Sequence, residues 1–143
     1  MGKALQWDTD RIGHEWDSQQ VDERLKNVLR IIGMKFDGFR ITCLIRTEAE
    51  NEGIEEIAKN RGVAGPAKKS KHLLLDPDRM CRAVDGNPPW SKMNDNPENW
   101  RRKVKDYVDT RFRGLFVEIR DHGTAPHVHI EIDLLSKFEV ELL

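Results

Sequence analysis

Apolar residues recur at helical spacing over positions 21–36, where Val21, Leu25, Val28, Leu29 and Ile32 share one face and Asp17 or Ser18 can cap the start. Gly38 interrupts the period, and the β-branched, apolar run 39–45 reads as a strand. Thr47 can cap a second helix over 48–60, which ends near Arg61-Gly62. A loop through Gly65-Pro66 and Lys68-Lys69-Ser70-Lys71 then delivers the chain to His72. Positions 73–96 show little periodicity and contain Pro77, Pro88 and Pro89, so they read as one long irregular segment. Loops of that length in compact domains are usually functional or disordered. Pro97 after Asn96 opens a third helix to about Phe112, with Trp100, Val104, Tyr107 and Val108 on one stripe. Positions 115–120 and 127–134 read as strands joined by a turn over 121–126, and 138–142 alternates like a last edge strand. This order predicts a single α+β domain over 1–143, a small antiparallel sheet with helices packed on one side.

Composition narrows the function classes. A chain of 143 residues is long enough to bury one core without disulfides or a structural metal. Its 24 basic and 25 acidic side chains leave a net charge of -1, which gives no basic face for nucleic acid. No apolar run approaches the roughly 18 residues needed to span a bilayer, so no membrane partner is expected. Positions 1–10 contain Trp7, Asp8 and Asp10 and no apolar signal region. Synthesis in the cytoplasm is therefore expected, with action outside only after release or export. Cys43 and Cys81 are too few for a disulfide framework and read as reduced packing residues.

The run Pro126-His127-Val128-His129-Ile130-Glu131 carries the chemistry. In a strand, residues i and i+2 face the same way, so His127 and His129 project side by side. Paired imidazoles fill a core poorly and hold a divalent metal well, although an isolated pair is by default a solvated strand edge. Ser70-Lys71-His72 and Arg82-Ala83-Val84-Asp85-Gly86 offer one further histidine and one carboxylate. Three protein ligands with one position left for water make a catalytic zinc site, whereas a structural site is closed by four. Zinc lowers the pKa of its water and polarises a carbonyl, which suits amide hydrolysis.

The order Ser-x-His, Ala-x-Asp, His-x-His resembles the LAS group of zinc peptidases, which joins lysostaphin-type enzymes, D-Ala-D-Ala metallopeptidases and the hedgehog signalling domain. It is most similar to the branch of peptidoglycan D,D-carboxypeptidases and phage L-alanyl-D-glutamate endopeptidases. The resemblance implies a hedgehog-like fold, zinc held by His72, Asp85 and His129, and a catalytic role for His127. It also implies that Arg46, at the end of the run Ile41-Thr42-Cys43-Leu44-Ile45-Arg46, steadies the oxyanion. The family usually spaces its first His and Asp more closely and has Gly where Cys81 stands. An insertion over 74–80 can bulge out without moving the ligands, because a longer surface loop costs little. Asp76 and Asp78 are alternative ligands, but only Asp85 has the Ala-x-Asp-Gly setting. Pro126 and Gly123 occupy the positions where the family often has its general base, which leaves Asp121, His122 and Glu118 as the nearest candidates, Asp121 in the turn being placed to reach the metal-bound water.

Ser70 and Trp90 are candidates to line the substrate groove, Trp90 as a lip after Pro88-Pro89. Trp100 reads as core, His122 as a solvent-exposed turn residue, and Arg101-Arg102-Lys103 as a solvated helix face. Glu131 and Asp133 read as structural, and Arg46 alone would read as a surface cation. The expected function is a zinc metallopeptidase acting, as a monomer, on the peptide stem of peptidoglycan. The alternative is a non-catalytic zinc-binding module of the same fold.

Overall fold

A computed structural model describes residues 4–123, 125–134 and 139–143. Strand β1 (Leu5–Trp7) leads into helix α1 (Asp10–Asp17), and α2 (Glu23–Lys35) precedes β2 (Phe39–Cys43). Helix α3 (Glu48–Arg61) is followed by a long loop and β3 (Ala83–Asn87), then by α4 (Pro97–Arg111). Strands β4 (Phe112–Arg113), β5 (Leu115–Arg120), β6 (His127–Ile132) and β7 (Glu141–Leu142) complete the order. The domain is α+β, as its sequence pattern predicts. Its main sheet runs β1-β2-β3-β6-β5 and is mixed rather than purely antiparallel, because β1 pairs parallel to β2. Strands β4 and β7 form a separate pair. Of the expected strand over 138–142, Phe138 lies outside the described residues.

Local signals explain most element ends. Thr47 and Glu50 form a reciprocal capping box at the start of α3, and Gly62 ends it in the left-handed region at φ 67°. Asn96 caps α4 ahead of Pro97. The second helix starts later than its apolar period suggests. Asp22 caps it, with Oδ1 accepting from Arg24 N at 2.9 Å. Asp17 and Ser18 instead terminate α1, a separate helix capped by Thr9 with Ile12 and Trp16 buried.

The sheet has two unlike faces. Register pairs Ile41 with Gly86, Val84 with Ile130, and Val117 with Ile130, so these side chains share one apolar face. Leu25, Val28, Leu29 and Ile32 of α2 and Trp100, Val104 and Val108 of α4 join them in a single core. Gly86 is required there, because a Cβ at this position would lie 2.1 Å from the Phe39 ring. The opposite face carries Arg40, Asn87, Asp85 and His129, which are also register partners. Helix α3 borders this polar face through Asn51 and Ile54, so the helices do not all pack on one side.

Strand β3 is the main departure from the sequence expectation. It runs through the segment read as irregular and is the central strand, with all five residues buried. Gly86 stands where a strand normally places a large apolar residue, and flanking Pro88-Pro89 adds a turn signal, so the run does not read as a strand.

Candidate metal centre

Two strands and a loop converge on the Asp85 carboxylate. Asp85 lies mid-strand in β3, opposite His129 of β6. His72 is held in the loop after α3, where its N–H donates to Ser70 Oγ at 3.3 Å and its carbonyl accepts from Arg46 N at 3.0 Å. His72 Nε2 stands 3.1 Å, and His129 Nδ1 2.9 Å, from the same oxygen, Asp85 Oδ1. His127 Nε2 lies 3.5 Å and Arg46 Nη2 3.4 Å from the other oxygen, Oδ2. His72, His129 and Asp85 are 1%, 2% and 4% exposed, so none of this set is hydrated surface.

The far side of each imidazole fixes its proton. His72 Nδ1 donates to the Leu44 carbonyl at 2.6 Å, and His127 Nδ1 to the Ala125 carbonyl at 3.0 Å. His129 Nε2 donates to Glu131 Oε1 at 2.8 Å. A carbonyl or carboxylate can only accept, so the three inward nitrogens present lone pairs to Asp85 in the neutral rings. Lone pairs facing a carboxylate at this range would repel, so a cation joins the rings to Asp85, either a ring proton or a metal ion. Outward hydrogen bonds of this kind are also what orients metal-bound imidazoles.

Without a metal, electrostatics favour a proton on His72. Burial favours neutral His72, but the neighbouring Asp85 carboxylate outweighs it and raises the imidazole pKa to about 10. Burial would raise the Asp85 pKa, yet the charge of His72 and hydrogen bonds from His129 and His72 hold it well below the usual carboxylate range. His127 shifts the other way: burial lowers its pKa despite Asp85, leaving the ring neutral at neutral pH. Glu131 is partly buried, which would raise its pKa, but His129 and Lys71 hold it near the acid limit, at about 2.

Cys43 is more than a packing residue. A register shift between Ile41 and Cys43 places Cys43, rather than Thr42, opposite Asp85, and bulges of this kind re-aim side chains beside functional sites. Donor atoms of Cys43, His72 and Asp85 all lie within 4.8 Å of one another, a group that can hold a metal ion. His72 and Asp85 converge with Cys43 in this group, while His129 approaches it through Asp85 Oδ1 at 2.9 Å.

The structure brings His72, Asp85, His127, His129 and Arg46 together. Arg46 is 5% exposed, with Nη1 donating to Asn51 Oδ1 at 2.8 Å, and is no surface cation. Asp85, His127 and Arg46 line a cleft of about 610 Å³ that also contains Cys43, Asn87 and Trp90. Trp90 is 60% exposed at its edge, consistent with a lip. Three residues fall elsewhere than expected. Asp121 is exposed and does not line the cleft; its Oδ1 accepts from Gly123 N at 2.8 Å, the turn it closes. Ser70 is buried behind the site, accepting from the His72 backbone and lying 3.5 Å from Arg46 Nη1, so it positions both and does not reach the cleft. His122 is buried and lines the cleft, its Nδ1 donating to the Ala64 carbonyl at 2.7 Å and its ring 5.8 Å from that of His127. Asp76 is exposed, and Asp78 pairs with Arg82, so neither competes with Asp85.

One further partner had a legible signal. Glu131 continues the alternation of His127 and His129 on one strand face, which places it beside His129 and pairs it with Lys71 at 2.5 Å. The other missed residues, Cys43 and His122, depend on a bulge and a turn that periodicity does not report. No family model matches this chain, and no curated protein and no solved structure is found to match it.

Proposed function

We propose that this protein is a zinc-dependent peptidase that hydrolyses amide bonds in peptidoglycan stem peptides. The observation that carries this reading is the convergence of His72 Nε2 and His129 Nδ1 on one oxygen of buried Asp85, which lines the cleft. Two imidazoles and a carboxylate are a donor set for a three-ligand zinc site. Bound there, zinc would act as a Lewis acid and generate a nucleophile from water near neutral pH. His127, neutral and held by Ala125, presents Nε2 to the site and is the residue that would carry the proton. Arg46, its Nη2 facing Asp85 Oδ2, would stabilise negative charge developing on a scissile carbonyl. Asp8 and Asp85 are the carboxylates among the described residues lining the cleft, and Asp8 is paired with Arg40 at 2.6 Å. With Asp121 outside, proton transfer falls to His127, with His122 beside it.

That lack of a free carboxylate base favours a second reading, a zinc-binding module that holds a peptide without cutting it. Zinc content and release of new amino termini from purified peptidoglycan separate the two. One zinc per chain with new amino termini supports the peptidase; one zinc without them leaves the binding module. Equal, negligible zinc in wild type and His129→Ala refutes the metal site itself.

A further inference from the structure

The cleft contains a cation that its own side chains do not neutralise. Its charged lining pairs off as Arg40 with Asp8 at 2.6 Å and Arg46 with Asp85 at 3.4 Å. Arg101 remains. Its neighbours Arg102 and Lys103 are exposed, as a solvated helix face predicts, but Arg101 is only 9% exposed and lines the cleft. Its Nε donates to Asn87 Oδ1 at 2.8 Å, a neutral acceptor. Glu98 and Asp121 are carboxylates near enough to act on it through space, but among the described residues neither forms an ion pair with it. Arg40, the other arginine on this side, is fully engaged. It donates to the Pro88 carbonyl at 3.0 Å, to Asp8, and to Met93 Sδ at 3.2 Å, and its guanidinium stacks on Trp90 at 3.8 Å.

We propose that Arg101 reads a free carboxylate on the bound peptide and so makes this cleft selective for acidic substrates. The inference rests on the peptidase reading for its substrate, a stem peptide, and on the geometry of Arg101 for its specificity. Asn87 holds Nε and leaves the terminal nitrogens Nη1 and Nη2 for a ligand. Arginine stays charged in proteins, and its planar fork matches a carboxylate through two parallel hydrogen bonds. Burial lowers the Arg101 pKa, a desolvation cost that an anionic ligand would offset. Asn87 stands two residues from Asp85 on the same face of β3, about 7 Å along the strand. That span is about two residues of an extended peptide, so the carboxylate read would lie within about two residues of the scissile bond. Binding of a divalent ion at Asp85 would add positive charge and strengthen the preference for an anion.

The test uses the full chain with its metal bound and a stem tetrapeptide beginning L-alanyl-D-glutamyl. The glutamyl carboxylate and the C-terminal carboxylate are each supplied as free acid or as carboxamide. Binding is measured by calorimetry in wild type, Arg101→Gln and Arg101→Lys, with bond cleavage followed separately. Amidating one of the two positions is expected to weaken wild-type binding about 10- to 100-fold, the range for charged hydrogen bonds. That position identifies the carboxylate. Arg101→Gln should bind acid and amide alike, Arg101→Lys should keep part of the preference, and metal content should stay at the wild-type level. Equal binding of all peptides by the wild type overturns the inference, as does a preference that survives Arg101→Gln or the absence of any binding. If the preference is present and depends on Arg101 but no bond is cut, the carboxylate site stands and the peptidase reading falls.

Discussion

Glu131→Gln probes the metal site without touching a ligand. Glu131 Oε1 accepts from His129 Nε2 at 2.8 Å, while its Oε2 pairs with Lys71 Nζ at 2.5 Å. Glutamine preserves the shape but has one oxygen. If that oxygen accepts from His129, its NH2 meets the Lys71 ammonium, donor against donor; if it turns to Lys71, its NH2 meets His129 Nε2–H. One contact is lost in either orientation, and the negative charge that raises the basicity of His129 is lost in both. Removing an outer partner of a metal-bound histidine typically weakens metal affinity about 10- to 100-fold, or about 1.4–2.8 kcal/mol. Lys71 retains a second anchor, the Ile132 carbonyl at 2.9 Å, so the fold should survive. Zinc affinity is read by competition with a chromophoric chelator, and thermal unfolding of the metal-free protein provides the control for folding. In a double-mutant cycle, Glu131→Gln should add nothing once His129→Ala has emptied the site, because the effect passes through that ring. Wild-type zinc affinity in Glu131→Gln, or an undiminished loss in the His129→Ala background, would refute the role given to His129.

The two possible third donors separate on replacement. His129→Ala should abolish tight zinc binding, whereas Cys43→Ser should leave it and lack any sulfur-to-metal charge-transfer band in the cobalt form of either protein; a strong band lost in Cys43→Ser would transfer the third position to Cys43. Gly86→Ala should lower stability by about 1–3 kcal/mol or more in urea unfolding, because its Cβ would meet the Phe39 ring at 2.1 Å, and an unchanged midpoint would contradict that packing. Asp22 predicts an acid limb. Burial would raise its pKa, but hydrogen bonds from Arg24 and the charges of Arg24 and Arg82 hold it below the usual carboxylate range. A carboxyl whose pKa is lower when folded stabilises the fold above its unfolded pKa and loses that contribution as pH falls through its folded one. Stability should therefore drop below about pH 4 in wild type and less steeply in Asp22→Asn, as read from urea midpoints across that range.

How much of this was legible in the chain follows from how each element is buried. Helices α2, α3 and α4 and strands β2, β5 and β6 each leave a periodic or capped pattern, because one face of each meets a different environment from the other. Strand β3 alternates Val84 and Gly86 with Asp85 and Asn87, but a glycine under Phe39 in place of a large apolar residue leaves that alternation faint. The histidines of β6 were legible as a pair because strand geometry alone puts i and i+2 together, and the same rule extends to Glu131. Asp85 became legible only through resemblance, since a buried carboxylate and a turn aspartate look alike in one dimension. Cys43 and Arg101 were read as packing and solvated residues, because their roles arise from a bulge in β2 and from the contact between α4 and Asn87.

These misses share a cause that bears on the site itself. The sheet residues that face the cleft do so from β2, β3 and β6, and neighbours across the sheet are paired by register rather than by sequence distance. A carboxylate ringed by three imidazoles and a guanidinium is costly to bury. It is kept here on the sheet face opposite the apolar stripes of α2 and α4, which α4 reaches through Arg101. Stability and chemistry are thereby divided between the two sides of the same strands: Val84 and Gly86 serve the core, while Asp85 and Asn87 serve the cleft. A substitution on the apolar side, such as Gly86→Ala, should therefore disturb metal binding only through displacement of β3. One on the polar side, such as Glu131→Gln, should disturb it with little loss of folding free energy.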